Sequence, residues 1–551
     1  MNCADYIFSD DYLEYVLRNG VFSEELLSAS EDYCIYPIND KWILASFNIR
    51  NLPILSSEGI GYSFLSKLYG LCDLGAVNSS GVAAVREQPV LGFLGQGCYV
   101  AIIDTGINWR HSAFINRDGS TKIEVYWDQE SNRIYDSAAI NEALADGSIE
   151  IPSDDIGHGT FMAGIACGNV DVRNNFSGVA PLARLIVVRL RQAKQYLRNF
   201  FHVSKDVPAY SEADIILGID FVSKYANERK MQVSYAIGVG TLLGSHTGSS
   251  PLGEILRDEA EIAGRCVSVA AGNEGNERLH YAGATDGITP DRVELKIGER
   301  EEGLTCEIWS KAPEIYAVEI ISPSGQIARR IPPRSGRSSL ISFLFEDTTV
   351  DVYYQLYEYY SGENVIAINF TRPASGIWVL NVYSRDGQSG TFDIWTDNRS
   401  FLKEDTYFLS SNPYRTITNP ANNAACICVS AYDYRNFSVY LRAGRGYNSY
   451  DIVRPDYVAP GVGLVGPAGI GTDGYVTRSG SSVATAFYAG LAALLQEYGV
   501  KKGKKQYYRT SEIRGITIAG CIRRDGMEFP NREWGYGAVN LYNSLDAMRI
   551  E

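Results

Sequence analysis

Histidine is scarce in this chain. Five occur among 551 residues, at positions 111, 158, 202, 246 and 280. So few imidazoles leave little material for histidine-based metal centres, and no carboxylate cluster has the spacing of a calcium loop. No metal site or required cofactor is therefore expected, and calcium dependence is left open. Cysteine is present but unpatterned: ten residues run from Cys3 to Cys521 without a CxxC, and Cys426 and Cys428 form only a CxC. The thiols are expected to be buried and free rather than a disulfide or zinc framework. No run of about 20 apolar residues occurs, which excludes a membrane-spanning helix of ordinary length. The opening MNCADYIFSDDYLEYV has neither a basic stretch nor an apolar core, so no secretory signal is expected there. Bases are outnumbered by acids, 50 to 65, for a formal charge of −15. The first 40 residues carry nine carboxylates and a single base, Arg18. Such acidity argues against nucleic acid or an anionic membrane as a partner.

The chain has 45% hydrophobic and 21% charged residues, a globular balance. Its length suggests roughly two to four domains. Residues 1–74 mix a helical stretch (Asp11 to Leu17), an extended apolar run (Trp42 to Phe47) and a second helical stretch (Tyr62 to Gly70). Buried parallel strands are predicted at Val100 to Asp104, Arg184 to Leu190 and Cys266 to Ala271. Helical patterns fall between them, at Gly159 to Cys167 and Glu212 to Ala226. Strands alternating with helices indicate an α/β fold with a parallel sheet, whose active sites lie at the carboxyl ends of the strands.

That alternation stops at 278. Up to about 408 the sequence reads as strands alone: Val293 to Gly298, Tyr316 to Ser322, Val350 to Tyr360, Val365 to Phe370, Ile377 to Ser384 and Thr391 to Thr396. Turn signals such as Pro323-Ser324-Gly325 and Asp386-Gly387 separate them, which predicts an antiparallel β-sandwich. The α/β pattern resumes at Ala425 to Tyr432. The expected segments are thus 1–74, 75–277, an inserted β domain at 278–408, and 409–551.

Three short strings carry chemistry. Asp104 ends the strand in IIDTGI, His158 lies between glycines in DIGHGT, and Ser482 opens a small-residue helix in SGSSVATAFYAG. Neutral imidazole can take a serine proton and return it to a leaving amine, and a carboxylate can hold the imidazole in the right tautomer. A serine in the first turn of a helix also sits beside unpaired N–H groups and a positive dipole end. DTG occurs in aspartic proteases too, but those need two such motifs or two chains.

The order Asp, His, Ser is the subtilisin order. With these three strings the chain resembles the subtilase superfamily of serine proteases. The resemblance implies a subtilisin-like parallel sheet with flanking helices, an N-terminal α+β propeptide over 1–74 that templates folding and then inhibits, and self-cleavage near residue 74. The Ala270–Gly275 string AAGNEG matches a family motif, which implies Asn273 as an oxyanion donor beside the Ser482 N–H. RPDYVAPGV (Arg454 to Val462) resembles the run that precedes the serine. The resemblance places the substrate groove at Ser234, Ala236, Ile237 and Gly238, and the primary specificity pocket at Thr418 and Asn419. The chain also departs from the pattern. The serine motif reads Gly480-Ser481-Ser482-Val483-Ala484-Thr485-Ala486 where GTSMATP is usual, and Ser234 and Ala236 stand where Asn and Ser are typical.

WDQE (Trp127 to Glu130), the run Gly178 to Phe201 and the run Pro530 to Arg549 are similar to a narrower group, the clostridial Csp germination proteases. That resemblance implies a jelly roll at 278–408, a cytoplasmic or spore-associated location in a Gram-positive bacterium, and a spore cortex-lytic enzyme precursor as protein substrate. It also admits two alternatives: a pseudoprotease that acts by binding as a germination regulator, or a gut-bacterial subtilase with another substrate.

Overall fold

The computed structural model describes residues 12–18, 33–37, 42–48 and 79–549, apart from 89–90, 148, 335–336, 359, 404, 470, 472 and 503–506. The chain divides into two compact units, Met1–Leu71 and Cys72–Glu551.

In the first unit, three strands form an antiparallel sheet in the order Tyr12–Arg18, Trp42–Asn48, Tyr33–Pro37. Trp42–Asn48 agrees with the extended apolar run. Tyr12–Arg18 does not agree with the helix predicted at Asp11 to Leu17. Seven residues are too few to hold a helix unaided, and YLEYVLR has two tyrosines and a valine, residue types that favour strands. The helix predicted at Tyr62 to Gly70 lies outside the described residues. Cys34 is disulfide-bonded, contrary to the expectation of free thiols throughout. Cys98, Cys167, Cys266, Cys306, Cys426, Cys428 and Cys521 are free and buried, as that expectation has it.

The second unit is built on a nine-stranded sheet. Its parallel core runs Ile427–Asp433, Arg265–Ala270, Gln232–Ile237, Cys98–Asp104, Arg184–Arg189, Ile123–Asp128. Successive residues face opposite layers, as the period of a strand requires. Val100 and Ile102 join the core under helices His158–Cys167 and Ser481–Lys501, whereas Ala101 and Ile103 join the core under Glu212–Arg229 and Pro251–Ala260. Helices therefore cover both faces. Ser481–Lys501 is apolar on nearly every side and buried over almost its whole length. Its Gly490 is required for close approach, because a Cβ there would stand 2.5 Å from the Ala166 carbonyl oxygen of the His158 helix.

Between Arg265–Ala270 and Ile427–Asp433 the chain leaves this sheet. It forms two antiparallel sheets, of six and five strands, which share one apolar core. In Asp291–Ile297 the residues Val293, Leu295 and Ile297 are buried while Arg292 is exposed, the alternation from which the strand was predicted. The strand at Val350 to Tyr360 ends earlier, at Gln355.

Asp397 lies just past the strand Gly390–Thr396, only 2% exposed, and accepts the Thr305 N–H at 2.7 Å. Burial pushes its carboxyl up to about 7, against the pull of that hydrogen bond and with help from nearby Glu307 and Glu301. A carboxyl raised in the folded state stabilises the fold fully below its unfolded pKa and loses that contribution as pH rises toward the folded value. Asp397→Asn keeps the acceptor and removes the ionisation. Its melting-temperature advantage over wild type is expected to grow from about pH 4 to pH 7 and then level off. A gain independent of pH in differential scanning calorimetry would refute this assignment.

Candidate active site

Asp104 is the last residue of its strand and is fully buried. Its Oδ1 accepts the Thr105 N–H at 2.8 Å and faces His158 Nδ1 at 2.7 Å. Its Oδ2 accepts no hydrogen bond among the described residues.

His158 is the first residue of its helix, after Gly157 in a left-handed conformation (φ 77°) that a side chain would strain. The turn is held by Asp154, which the sequence reading did not single out. Asp154 Oδ1 accepts the N–H groups of Ile156 and Gly157 at 3.1 and 2.7 Å. Its Oδ2 accepts the Thr160 N–H and hydroxyl at 2.9 and 2.6 Å. A fully buried carboxylate thus satisfies the free donors at the start of the helix that carries the imidazole. An Asp shortly before a helix start was the available signal.

His158 Nε2 lies 2.9 Å from Ser482 Oγ. With the proton on Nδ1 donated to Asp104, Nε2 accepts the serine hydroxyl. Burial lowers the His158 pKa, but the charge of Asp104 and its hydrogen bond outweigh burial and leave the pKa raised above the ordinary histidine value. Arg478 opposes that rise.

Ser482 is the second residue of its helix and 6% exposed. Residues so early in a helix have no intrahelical acceptor for their N–H groups. The Ser481 N–H is taken by Asn273 Oδ1 at 2.9 Å, and Ser481 Oγ accepts the Gly272 N–H at 3.0 Å. These two bonds tie the Asn273 turn to the serine helix. They fix the Asn273 amide by its oxygen and leave the Nδ2 donors for another acceptor.

The predicted groove residues are placed unequally. Ser234 and Ala236 are fully buried inside the sheet, between Cys98–Asp104 and Arg265–Ala270. Ile237 is buried in the core under Glu212–Arg229. Gly238 reaches the triad: a Cβ there would stand 3.1 Å from Asp104 Oδ2. Thr418 donates its N–H to the Ala271 carbonyl at 3.1 Å. Its buried hydroxyl has no partner among the described residues, and a Cβ on Gly240 or Gly272 would strike it at 2.5 or 2.7 Å. Asn419 pairs with Thr241 through two backbone hydrogen bonds, of 2.8 and 3.0 Å. Thr418 and Asn419 thus share a corner with the Asn273 turn, and Gly240, which sequence reading missed, closes it. Among the described residues no group of three or more histidine, cysteine or acidic side chains is placed to hold a metal ion.

A carboxylate, an imidazole and a hydroxyl in line, with a side-chain amide held nearby, form an arrangement suited to nucleophilic acyl transfer. The sequence model of the subtilase family matches residues 95–328 and 390–537. The chain belongs to the subtilase family. The solved structure of the CspB protease of Clostridium perfringens is similar over 86% of this chain and 97% of that one, with a TM-score of 0.77 and 28% identity. The serine protease AprX of Bacillus subtilis is 26% identical over 257 residues, 44% of this chain and 49% of its own. The subtilase-type proteinase psp3 of Schizosaccharomyces pombe is 26% identical over 259 residues, 45% of this chain and 46% of its own. The match to these two curated relatives spans about half their length. The break in the subtilase match between 328 and 390 falls inside the two added antiparallel sheets.

Proposed function

We propose that this subtilase is a serine endopeptidase. The observation that carries the reading is the continuous line from Asp104 through His158 to Ser482, at 2.7 and 2.9 Å. Ser482 Oγ attacks the peptide carbonyl as His158 takes its proton. The tetrahedral oxyanion is held by the Ser482 N–H and Asn273 Nδ2. His158 then protonates the leaving amine, and water attacks the acyl-enzyme by the reverse path. No metal or cofactor enters these steps. Asn273→Ala is expected to lower kcat by about 10²- to 10³-fold with little change in KM, because the lost bond forms to the oxyanion. Steady-state kinetics on a peptide substrate checks this.

The finer reading rests on the similarity to CspB along most of the chain. The enzyme cleaves its own propeptide near residue 74 and acts by limited proteolysis on a spore cortex-lytic enzyme precursor, without nucleic acid or membrane as a partner. No helix among the described residues is long and apolar enough to cross a membrane. A fluorophosphonate probe tests the central claim. The expected result is one adduct, on Ser482, located by peptide mass spectrometry. A folded chain that takes no label would favour the regulator that acts by binding.

A further inference from the structure

A cavity of about 560 Å³ opens between the added β-sheets and the segment 244–251. None of the triad residues lines it. The β-sheet side supplies three aromatic side chains, Trp309, Tyr353 and Tyr360, and two carboxylates, Glu307 and Glu358. Trp309 is nearly buried, whereas Tyr353 and Tyr360 are exposed.

Neither carboxylate forms an ion pair with lysine or arginine among the described residues. The Glu307 carboxylate accepts the Gly244 N–H at 2.7 Å and the Trp309 indole N–H at 2.9 Å, both on Oε2. That leaves Oε1 for the cavity it lines. Glu358 accepts the N–H groups of Tyr360 and Ser361 and the Ser361 hydroxyl, so its position is fixed by its own turn. Burial raises the Glu307 pKa, the two hydrogen bonds oppose it, and the charge of Glu358 adds to the rise. Two acidic side chains without a lysine or arginine ion pair among the described residues thus line the cavity, next to aromatic rings whose faces are negative.

The opposite wall does not offer the reverse chemistry. It contains the start of helix Pro251–Ala260, but the Ser250 hydroxyl already caps that helix through the Gly253 N–H at 3.0 Å, and Pro251 has no N–H. That wall offers serine hydroxyls but no cationic side chain to hold an anion. An ammonium group on an apolar body meets both halves of the cavity.

We propose that this cavity binds a small organic cation, with its ammonium group at Glu307 and its apolar body against Trp309, Tyr353 and Tyr360. The segment 244–251 continues the chain from Gly240 and Thr241, which meet the Thr418–Asn419 corner beside the active site. An occupant would therefore rest on the stretch of backbone that leads into the substrate groove.

The test is calorimetric titration of the full chain with phenethylammonium chloride at constant ionic strength, with phenethyl alcohol as the uncharged isostere. Saturable binding of the ammonium ion is expected, with a Kd of about 1 mM or tighter, and binding about tenfold weaker for the alcohol. Glu307→Gln keeps an oxygen for Gly244 and Trp309 and is expected to weaken the ammonium ion by about tenfold. Tyr353→Leu, at an exposed position, is expected to weaken it by about fivefold and guards against a folding artefact. Absence of saturable binding overturns the proposal. So does equal binding of the alcohol, or ammonium binding that survives both substitutions unchanged.

Discussion

Replacing Ser482 with alanine is expected to lower peptide turnover by about 10⁶-fold and to leave the fold intact. Alanine fits the site without strain, since residue 482 is buried among the small residues of a helix and, among the described residues, its side chain makes one hydrogen bond, to His158 Nε2. What remains in the variant is the oxyanion site and substrate binding, worth about a thousandfold over water in enzymes of this design. The same substitution separates self-cleavage from cleavage by a contaminant. Wild type is expected to lose its N-terminal segment near residue 74, and Ser482→Ala to stay intact, when intact masses are compared under native conditions. An alanine variant that still turns over peptide or still processes itself would remove Ser482 from the mechanism.

The legibility of this chain varied with how local each signal was. Asp104, His158 and Ser482 each lie where a small-residue string marks a strand end or a helix start, so three separate strings pointed to one site. The strand Cys98–Asp104 was readable because both of its faces are buried and the run Val100 to Ile103 is therefore wholly apolar. The edges of the added sheets were harder. Ile327–Ile331 has one buried residue among five, so IARRI shows no alternation to find. His280–Thr285 was hidden for another reason: Gly283 lies under the Phe392 ring, where a side chain would collide, so a packed position reads as a turn residue. Tyr12–Arg18 was misread because strand pairing with Trp42–Asn48, not local preference, decides its form. The groove register depends on where the strand ends. The run SYAIG offers no mark of that point, and the structure puts only its final glycine beside the triad.

Asp104→Asn is expected to cost up to about 10⁴-fold in kcat/KM, the full loss applying where the imidazole also takes the wrong tautomer, and its pH profile is more informative than its rate. In the proposed mechanism the base is neutral His158, whose pKa is raised. A raised pKa holds the proton to higher pH, so activity climbs with pH through a limb that lies above the ordinary histidine value near 6.5. The variant loses the two largest causes of the rise, the Asp104 charge and its hydrogen bond as a carboxylate, and keeps only the smaller effect of the Asp154 charge. Burial and Arg478 remain, and both lower the pKa. The acid limb is therefore expected to move below about 6.5 even as the rate falls. The asparagine oxygen can still accept both His158 Nδ1–H and the Thr105 N–H, since Oδ1 receives both in the wild type. Its amide then takes the place of Oδ2, which has no partner among the described residues. The imidazole can thus keep its tautomer, so a shifted limb isolates the contribution of charge from that of orientation. A variant whose limb stays above the ordinary histidine value would show that Asp104 does not set the His158 pKa.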